Sequence, residues 1–333
     1  MRRVAVVGMG RFGYAMTYHL DRKNNSEVEL YFYGHRADVA EYIDRNRVHP
    51  DFFGEYSLSP YVKITSNLID VVQNSDVLVL ALSSAALKGF LGEIKPHITK
   101  PLQIVHLIKA LDKETGQRMS QIIKYELGSM PVTPAVLAGG TFDIDLLTGQ
   151  FLGATLACEN HLVLPQLRSI FDAPELNVDL STDVIGCELA GAFKNVAAVF
   201  VGIINGLGYS YGSETHTLSR VTSEVEKLAA DLGASTETFD MKSQCWGNDF
   251  VMCAMGSKSR NREFGVTLGR GHTYAQAVEA MVKEQKLVES VNTVAILPLL
   301  ADLDEYPLLN FIYKLSLGQV RAHQLPGVIT DNF

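Results

Sequence analysis

The chain has 333 residues, 47% apolar and 20% charged, with a formal net charge of −8. That length suggests two domains, each able to bury its own core. The acidic balance and the absence of a long basic run argue against a nucleic-acid binder, so an anionic small substrate would need a local basic pocket. The four cysteines show no zinc-knuckle or redox spacing; Cys158 and Cys187 read as small core hydrophobes, and a reducing cytoplasm fits. The apolar run Val4–Val7 is too short for a signal-peptide core, and the stretch around 196–204 falls short of a membrane span, so a soluble protein is expected.

In chain order, Val4–Val7 predicts a first strand, Tyr14–Asp21 a helix and Glu29–Tyr33 a second strand. Between the first two lie Gly8, Gly10 and Gly13. In a strand–turn–helix setting the first glycine makes the tight turn and the second lets the backbone approach a pyrophosphate. The third lets the helix lie close on the sheet, so that its N-terminal N–H groups face the phosphates. An unbroken apolar run, Val77–Leu82, predicts a buried parallel strand, followed by Gln103–Leu107 and one beginning at Ala135. Strands alternating with helices imply βαβ units: an α/β fold with a Rossmann-type doubly wound parallel sheet.

From about Asp183 strand signals stop, and helical windows follow at 184–206, 215–232, 273–285 and 287–302. The boundary is expected near 180–186, giving a dinucleotide-binding domain over 1–183 and a mostly helical substrate and catalytic domain over 184–333. No repeat or low-complexity segment interrupts either part.

The second strand ends Tyr31-Phe32-Tyr33-Gly34-His35-Arg36, with no acid to take a ribose 2′-hydroxyl. Arg36, with His35 beside it, is instead placed to meet a 2′-phosphate, which favours NADP over NAD; the alternative is a solvated charge.

The window over 184–206 is apolar nearly all round, interrupted by Glu188, Lys194 and Asn195. Lys194 must therefore snorkel, pair or lose its charge; a pair with Glu188 is the purely structural alternative to a catalytic role. Lys109 follows an apolar strand at the ligand-binding edge of the sheet. Two lysines in one pocket would depress each other's pKa and suit acid–base work. The run Gly256–Gly265, dense in cations and small polar groups, can cradle a phosphate or be a solvated loop. Asp249 can orient a lysine ammonium or cap a helix.

These pieces together resemble the NAD(P)-dependent glycerol-3-phosphate dehydrogenases of the bacterial type. The resemblance covers nearly the whole chain. It runs from the glycine turn through Asp76–Leu82, Lys109–Asp112 with Thr115-Gly116, and Gly139–Phe142, to Ser181–Gly186, Glu188–Asn195 and Ser259-Arg260-Asn261 with Phe264-Gly265.

It implies an oxidoreductase that interconverts glycerol 3-phosphate and dihydroxyacetone phosphate with NADP or NAD, supplying a glycerophospholipid precursor in the cytoplasm. Lys194 would be the general acid/base, with Lys109 and Asp249 beside it. Gly139, Thr141, Ser259, Arg260 and Asn261 would contact substrate. Gly8, Gly10, Arg11, Phe12, Gly13, Arg36, Lys109, Arg260, Leu287 and Glu289 would contact the cofactor. No metal, nucleic acid or membrane insertion is implied; the apolar Leu287–Leu300 stretch can serve as core or as the interface of a homodimer.

The chain departs from the family pattern in several places. Asp143 stands for a small residue beside the substrate, and Arg11 for a small polar residue between the cofactor glycines. Cys245-Trp246-Gly247-Asn248 replaces a glycine-rich approach to Asp249, Cys253 a threonine and Ser290 a glycine. Lys109-Ala110-Leu111-Asp112 replaces a lysine–glycine–leucine–glutamate run. Two other functions follow: the same hydride chemistry on a different alcohol, motivated by Asp143 and Cys245–Asn248, or a non-catalytic dinucleotide sensor. A sensor has no need of Lys194, Asp249 and Lys109.

Overall fold

The computed structural model describes residues 1–23, 26–256, 259–286 and 288–332. By its internal contacts the chain forms two compact units: Met1–Ile108 with Met119–Val184, and Lys109–Arg118 with Ile185–Phe333. The segment Lys109–Arg118 thus packs with the helical unit, although the sequence on both sides of it belongs to the sheet.

The first unit carries strands β1 (Arg2–Val7), β2 (Val28–Tyr33), β3 (Lys63–Thr65), β4 (Val77–Leu80), β5 (Leu102–His106), β6 (Val132–Gly139), β7 (Leu152–Ala157) and β8 (Leu176–Ser181). They form one sheet in the order β3-β2-β1-β4-β5-β6-β7-β8, parallel except for the antiparallel β6–β7 pair. The order reverses between β1 and β4, and a parallel sheet binds ligands off its carboxyl ends at such a point. The helices are α1 (Arg11–Lys23), α2 (Ala37–Asn46), α3 (Leu68–Asn74), α4 (Ser84–Ile94), α5 (Met119–Leu127), α6 (Asp143–Leu147) and α7 (Leu164–Phe171). Val4, Val6, Phe32, Val77, Val79 and Val105 are buried together, as expected of a sheet covered by helices. The sequence reading missed β3, β7 and β8. β3 is three residues long, and β8 alternates buried and exposed positions only over its first half.

The second unit is built around α8 (Val184–Gly206), followed by α9 (Tyr211–Asp231), α10 (Asp249–Met255), α11 (Arg260–Gly269), α12 (Tyr274–Lys283), α13 (Glu289–Ala295), α14 (Leu297–Leu300), α15 (Pro307–Ser316) and α16 (Leu325–Asn332). A π-turn over Gln244–Asn248 leads into α10. The single helix expected over 287–302 is broken into α13 and α14 around Ile296, where Pro298 cannot continue the hydrogen-bond ladder. By length and composition the 23-residue α8 could cross a membrane, contrary to the expectation from its apolar run, but its most apolar window is wholly buried inside the fold. It is a core helix.

What lets α8 sit so deep is glycine. α8 and α11 touch backbone to backbone through Gly202, Gly206, Gly265 and Gly269. A Cβ at Gly265 would stand 2.2 Å from the Val199 carbonyl oxygen, and one at Gly202 2.2 Å from that of Arg262. Arg262, on the same helix, is held by Glu214 of α9 at 2.8 Å, and Glu214 also accepts from Asn205 of α8 at 2.7 Å. The crossing therefore fixes α11, with Ser259, Arg260 and Asn261 at its head, against the helix that carries Lys194 and Asn195.

Gly265→Ala should lower unfolding stability by about 1–3 kcal/mol, because the obstructing atoms are backbone and cannot rotate away. Gly89→Ala in α4, where a Cβ meets no atom within 4 Å, should be neutral or stabilising by up to about 1 kcal/mol. Urea unfolding of the two variants checks the contrast; equal midpoints would refute a backbone-to-backbone crossing.

Candidate functional site

Gly8 and Gly10 lie between β1 and α1 at the switch point of the sheet, and Gly13 lies in the first turn of α1. Gly8 has φ +110°, in the region that favours glycine, and a Cβ there would stand 2.5 Å from the Ala81 carbonyl oxygen. A Cβ on Gly13 would lie 1.9 Å from the Gly8 carbonyl oxygen, so the helix rests directly on the turn. Gly10 faces open space, with no atom within 4 Å of its Cβ position. The helical ladder starts with Tyr14 N–H donating to the Gly10 carbonyl, leaving the N–H groups of Arg11, Phe12 and Gly13 at an open helix N-terminus. A bare approach beside uncommitted N–H donors fits a dinucleotide pyrophosphate.

Arg36 immediately precedes α2, three residues beyond the end of β2. Its guanidinium is exposed and pairs with Asp38 at 2.6 Å, so a 2′-phosphate would compete with that carboxylate for the same fork. Gly139 ends β6, where a Cβ would strike Ala154 and the Gly153 carbonyl of β7 at 2.5 Å; Thr141 folds back on it, its N–H donating to the Gly139 carbonyl at 2.8 Å. Both lie in the sheet unit with the glycine turn.

The second unit assembles the charged centre. Asp249, the first residue of α10, has no exposed surface. One carboxylate oxygen accepts from Lys109 Nζ at 2.8 Å and the other from Lys194 Nζ. The Cys253 thiol, one helical turn on, lies 3.3 Å from Lys194 Nζ and 3.7 Å from Asp249 Oδ1. The alternative Lys194–Glu188 pair is not formed: Glu188 is held by Arg118 at 2.8 Å. Lys109 reaches α8 because Gly191 lets its side chain lie 3.5 Å from that glycine's Cβ position. Its segment is shaped by Asp112, whose Oδ1 accepts from the N–H and hydroxyl of Thr115, and by Gly116 at φ +69°.

The mutual depression expected of the two lysines is found on one side only. Burial, reinforced by Lys194, pushes Lys109 below the ordinary lysine value despite Asp249. Burial acts on Lys194 in the same sense and is the largest single influence, but Asp249, Cys253 and Glu289 together outweigh it, and the net direction is upward. The centre therefore holds one lysine firmly protonated and another that gives up its proton more readily.

Ser259 caps α11, its hydroxyl accepting from the Arg262 N–H at 3.2 Å. Arg260 follows at the open end of that helix, exposed and without an ion pair or hydrogen bond among the described residues. Asn261 is buried: its Nδ2 donates to Asn195 Oδ1 at 3.0 Å and its Oδ1 accepts from the Ser290 N–H at 3.1 Å. Asn195 in turn donates to Glu289 at 2.8 Å, so one amide chain ties α8, α11 and α13 together. Leu287, and Ser257 and Lys258 of the cation-rich run, lie outside the described residues.

Two of the departures have other partners than a substrate pocket would need. Asp143, expected beside the substrate, binds Arg11 at 2.7 Å. Cys245 and Trp246 face inward: Trp246 is fully buried and stacks on Phe250 at 4.4 Å between ring centres, while Gly247 passes against the Met241 carbonyl. That segment leads directly into Asp249 and packs on its neighbour Phe250. Sequence reasoning missed the partners of three groups: Cys253 at Lys194, Arg118 at Glu188, and Asn195 as the bridge to Glu289. A polar residue next to Lys194 on a buried helix was the available signal for Asn195.

Comparison with known proteins agrees with this layout. The family model described as NAD-dependent glycerol-3-phosphate dehydrogenase N-terminus matches residues 3–163, and its C-terminus counterpart matches residues 183–326. A Teredinibacter turnerae protein named glycerol-3-phosphate dehydrogenase (NAD(P)+) is 30% identical over 300 residues, covering 90% of this chain and 85% of that protein. One of the same name from Acidobacterium capsulatum is 30% identical over 331 residues, covering 97% and 96%. The fold is shared with a Coxiella burnetii glycerol-3-phosphate dehydrogenase structure at 22% identity, with a TM-score of 0.83 and coverage of 99% and 98% of the two chains. These matches span both units, and the chain belongs to the NAD-dependent glycerol-3-phosphate dehydrogenase family.

Proposed function

We propose that the chain is an NAD(P)-dependent glycerol-3-phosphate dehydrogenase, interconverting glycerol 3-phosphate and dihydroxyacetone phosphate. The observation that carries this reading is the buried Lys109–Asp249–Lys194 centre in a chain with a dinucleotide turn and the family's two domains. A dinucleotide held at the Gly8–Gly13 turn would supply or accept a hydride at its nicotinamide ring, exchanged with C2 of the substrate. Lys194 handles the proton: it gives Nζ–H to the C2 oxygen during ketone reduction and takes the hydroxyl proton back during oxidation. Asp249 keeps Lys194 charged and aimed, and Lys109 shares that carboxylate. Arg260, an uncommitted guanidinium at a helix N-terminus, is the group suited to the substrate phosphate. Ser259, Asn261, Gly139 and Thr141 are the other substrate contacts in this reading. On the coenzyme, the glycine turn, Arg11 and Phe12 would serve the pyrophosphate side and Arg36 the 2′-phosphate, with Lys109, Arg260, Leu287 and Glu289 as further contacts. NADP is the preferred coenzyme in this reading. The setting is cytoplasmic, with a glycerophospholipid precursor as the product. The domain roles follow: 1–183 for the dinucleotide and 184–333 for substrate and catalysis, with Lys109 contributed from the first stretch of sequence.

Lys194→Ala should lower kcat for dihydroxyacetone phosphate reduction by about 10²–10⁴-fold with NADPH affinity little changed. A loss below about tenfold would remove Lys194 from the mechanism. Because Lys194 is held protonated, wild-type reduction should persist into alkaline pH, while glycerol 3-phosphate oxidation, which needs the free amine, should climb as pH rises. Paired pH–rate profiles in the two directions check the sign.

Arg36→Ala should weaken NADPH far more than NADH, by about tenfold or more, since only the former loses a charged bond. Equal losses for both coenzymes would overturn the assignment of Arg36.

Arg260→Ala should raise the KM for dihydroxyacetone phosphate by at least about tenfold, and Lys should rescue poorly because a point charge lacks the planar fork. If the wild type reduced unphosphorylated dihydroxyacetone equally well, Arg260 would have no phosphate to hold.

A further inference from the structure

Two departures from the family pattern, far apart in sequence, meet in space. Arg11 is the first residue of α1, Asp143 the first of α6, and the two helices pack together. Arg11 Nε donates to Asp143 Oδ2 at 2.7 Å. The guanidinium carbon also lies over aromatic faces, 4.3 Å from the ring centre of Phe53 and 5.6 Å from that of Phe52, close enough for cation–π attraction. Phe53 occupies φ +60°, a conformation a bulky side chain adopts only when its surroundings hold it there. Phe52 stacks on His49 at 3.6 Å, and His49 Nε2 lies 3.1 Å from the Met9 carbonyl oxygen within the glycine turn. Arg11 is thus fixed on one side by a carboxylate and below by rings anchored to the turn itself. Only its Nε–H is taken; both Nη groups lack a hydrogen-bond partner among the described residues.

We propose that Asp143 is a positioning residue for coenzyme binding: with Phe53 it holds the Arg11 guanidinium beside the N-terminus of α1, leaving the Nη donors for the dinucleotide's pyrophosphate. This rests on the dinucleotide reading of the Gly8–Gly13 turn. A free arginine at this exposed position would sample many rotamers and lose that freedom on binding phosphate; one already pinned through Nε loses less. The same pair ties the turn after β1 to the segment after β6, whose Gly139 and Thr141 are assigned to the substrate.

The test is isothermal titration of NADPH into the full chain for wild type, D143A, D143N, R11A and the R11A/D143A double variant. R11A should weaken NADPH by about tenfold. D143A should weaken it by about 3–10-fold, while D143N, which keeps an oxygen to accept from Nε, should recover most of the affinity. On the R11A background D143A should change nothing, because the carboxylate acts only through Arg11. Tighter NADPH binding by D143A would show that the carboxylate merely repels the pyrophosphate. An equal loss in both backgrounds would show that it acts independently of Arg11. Either result overturns the proposal, and a wild type that binds no NADPH would instead refute the dinucleotide reading beneath it.

Discussion

A carboxylate with no exposed surface is costly unless cations stand against it, and Asp249 meets that condition with Lys109 and Lys194. The arrangement constrains much of the second unit. Lys194 must sit on a helix buried on every side, Lys109 must arrive on a segment that leaves the sheet sequence to pack with the helices, and Asp249 must stand at the head of α10. With a single carboxylate between two ammonium groups, the charge is not shared evenly. Lys194 is held protonated and Lys109 is displaced downward by burial. The asymmetry suits ketone reduction, in which Lys194 must arrive carrying the proton it gives to the substrate oxygen.

The depth of that centre depends on backbone contact between helices. With Gly202, Gly206, Gly265 and Gly269 at the crossing, α8 and α11 approach until carbonyl oxygens lie where side chains would otherwise be. The amide chain Asn261–Asn195–Glu289 then spans a distance short enough for direct hydrogen bonds. Small residues here serve position: they bring the head of α11, with Arg260, to a fixed height relative to Lys194. Arg262 and Glu214 fasten the same helix to α9.

In the sheet unit the requirement is reversed, since an anion must be received without filling the space it enters. Gly8 and Gly13 are needed because backbone atoms occupy their Cβ positions, whereas Gly10 is bare toward open space. The charge near this turn is supplied from the side by Arg11, whose partner Asp143 comes from another helix. Read singly, each of these two residues looked like an alteration of a pocket. As a pair they are one feature with a balanced charge.

The sequence alone determined the alternation of strands and helices, the glycine turn, the buried character of α8 and the identity of its polar interruptions, because periodicity, glycine spacing and apolar runs are local properties. It also determined that Lys194 had to snorkel, pair or lose its charge. Which partner was decided only by tertiary structure: Glu188 lies on the same helix but turns to Arg118, and Asp249 reaches Lys194 from 55 positions away. The same holds for Asp143 with Arg11, for Cys253 beside Lys194, for the inward-facing Trp246 and for the placement of Lys109–Arg118 with the helical unit. The short β3 and the partly alternating β8 escaped notice because a few residues carry too little periodic signal, and their pairing in the sheet defines them. Charge pairing and close approach are set by distances between segments remote in sequence, and no local pattern encodes those distances.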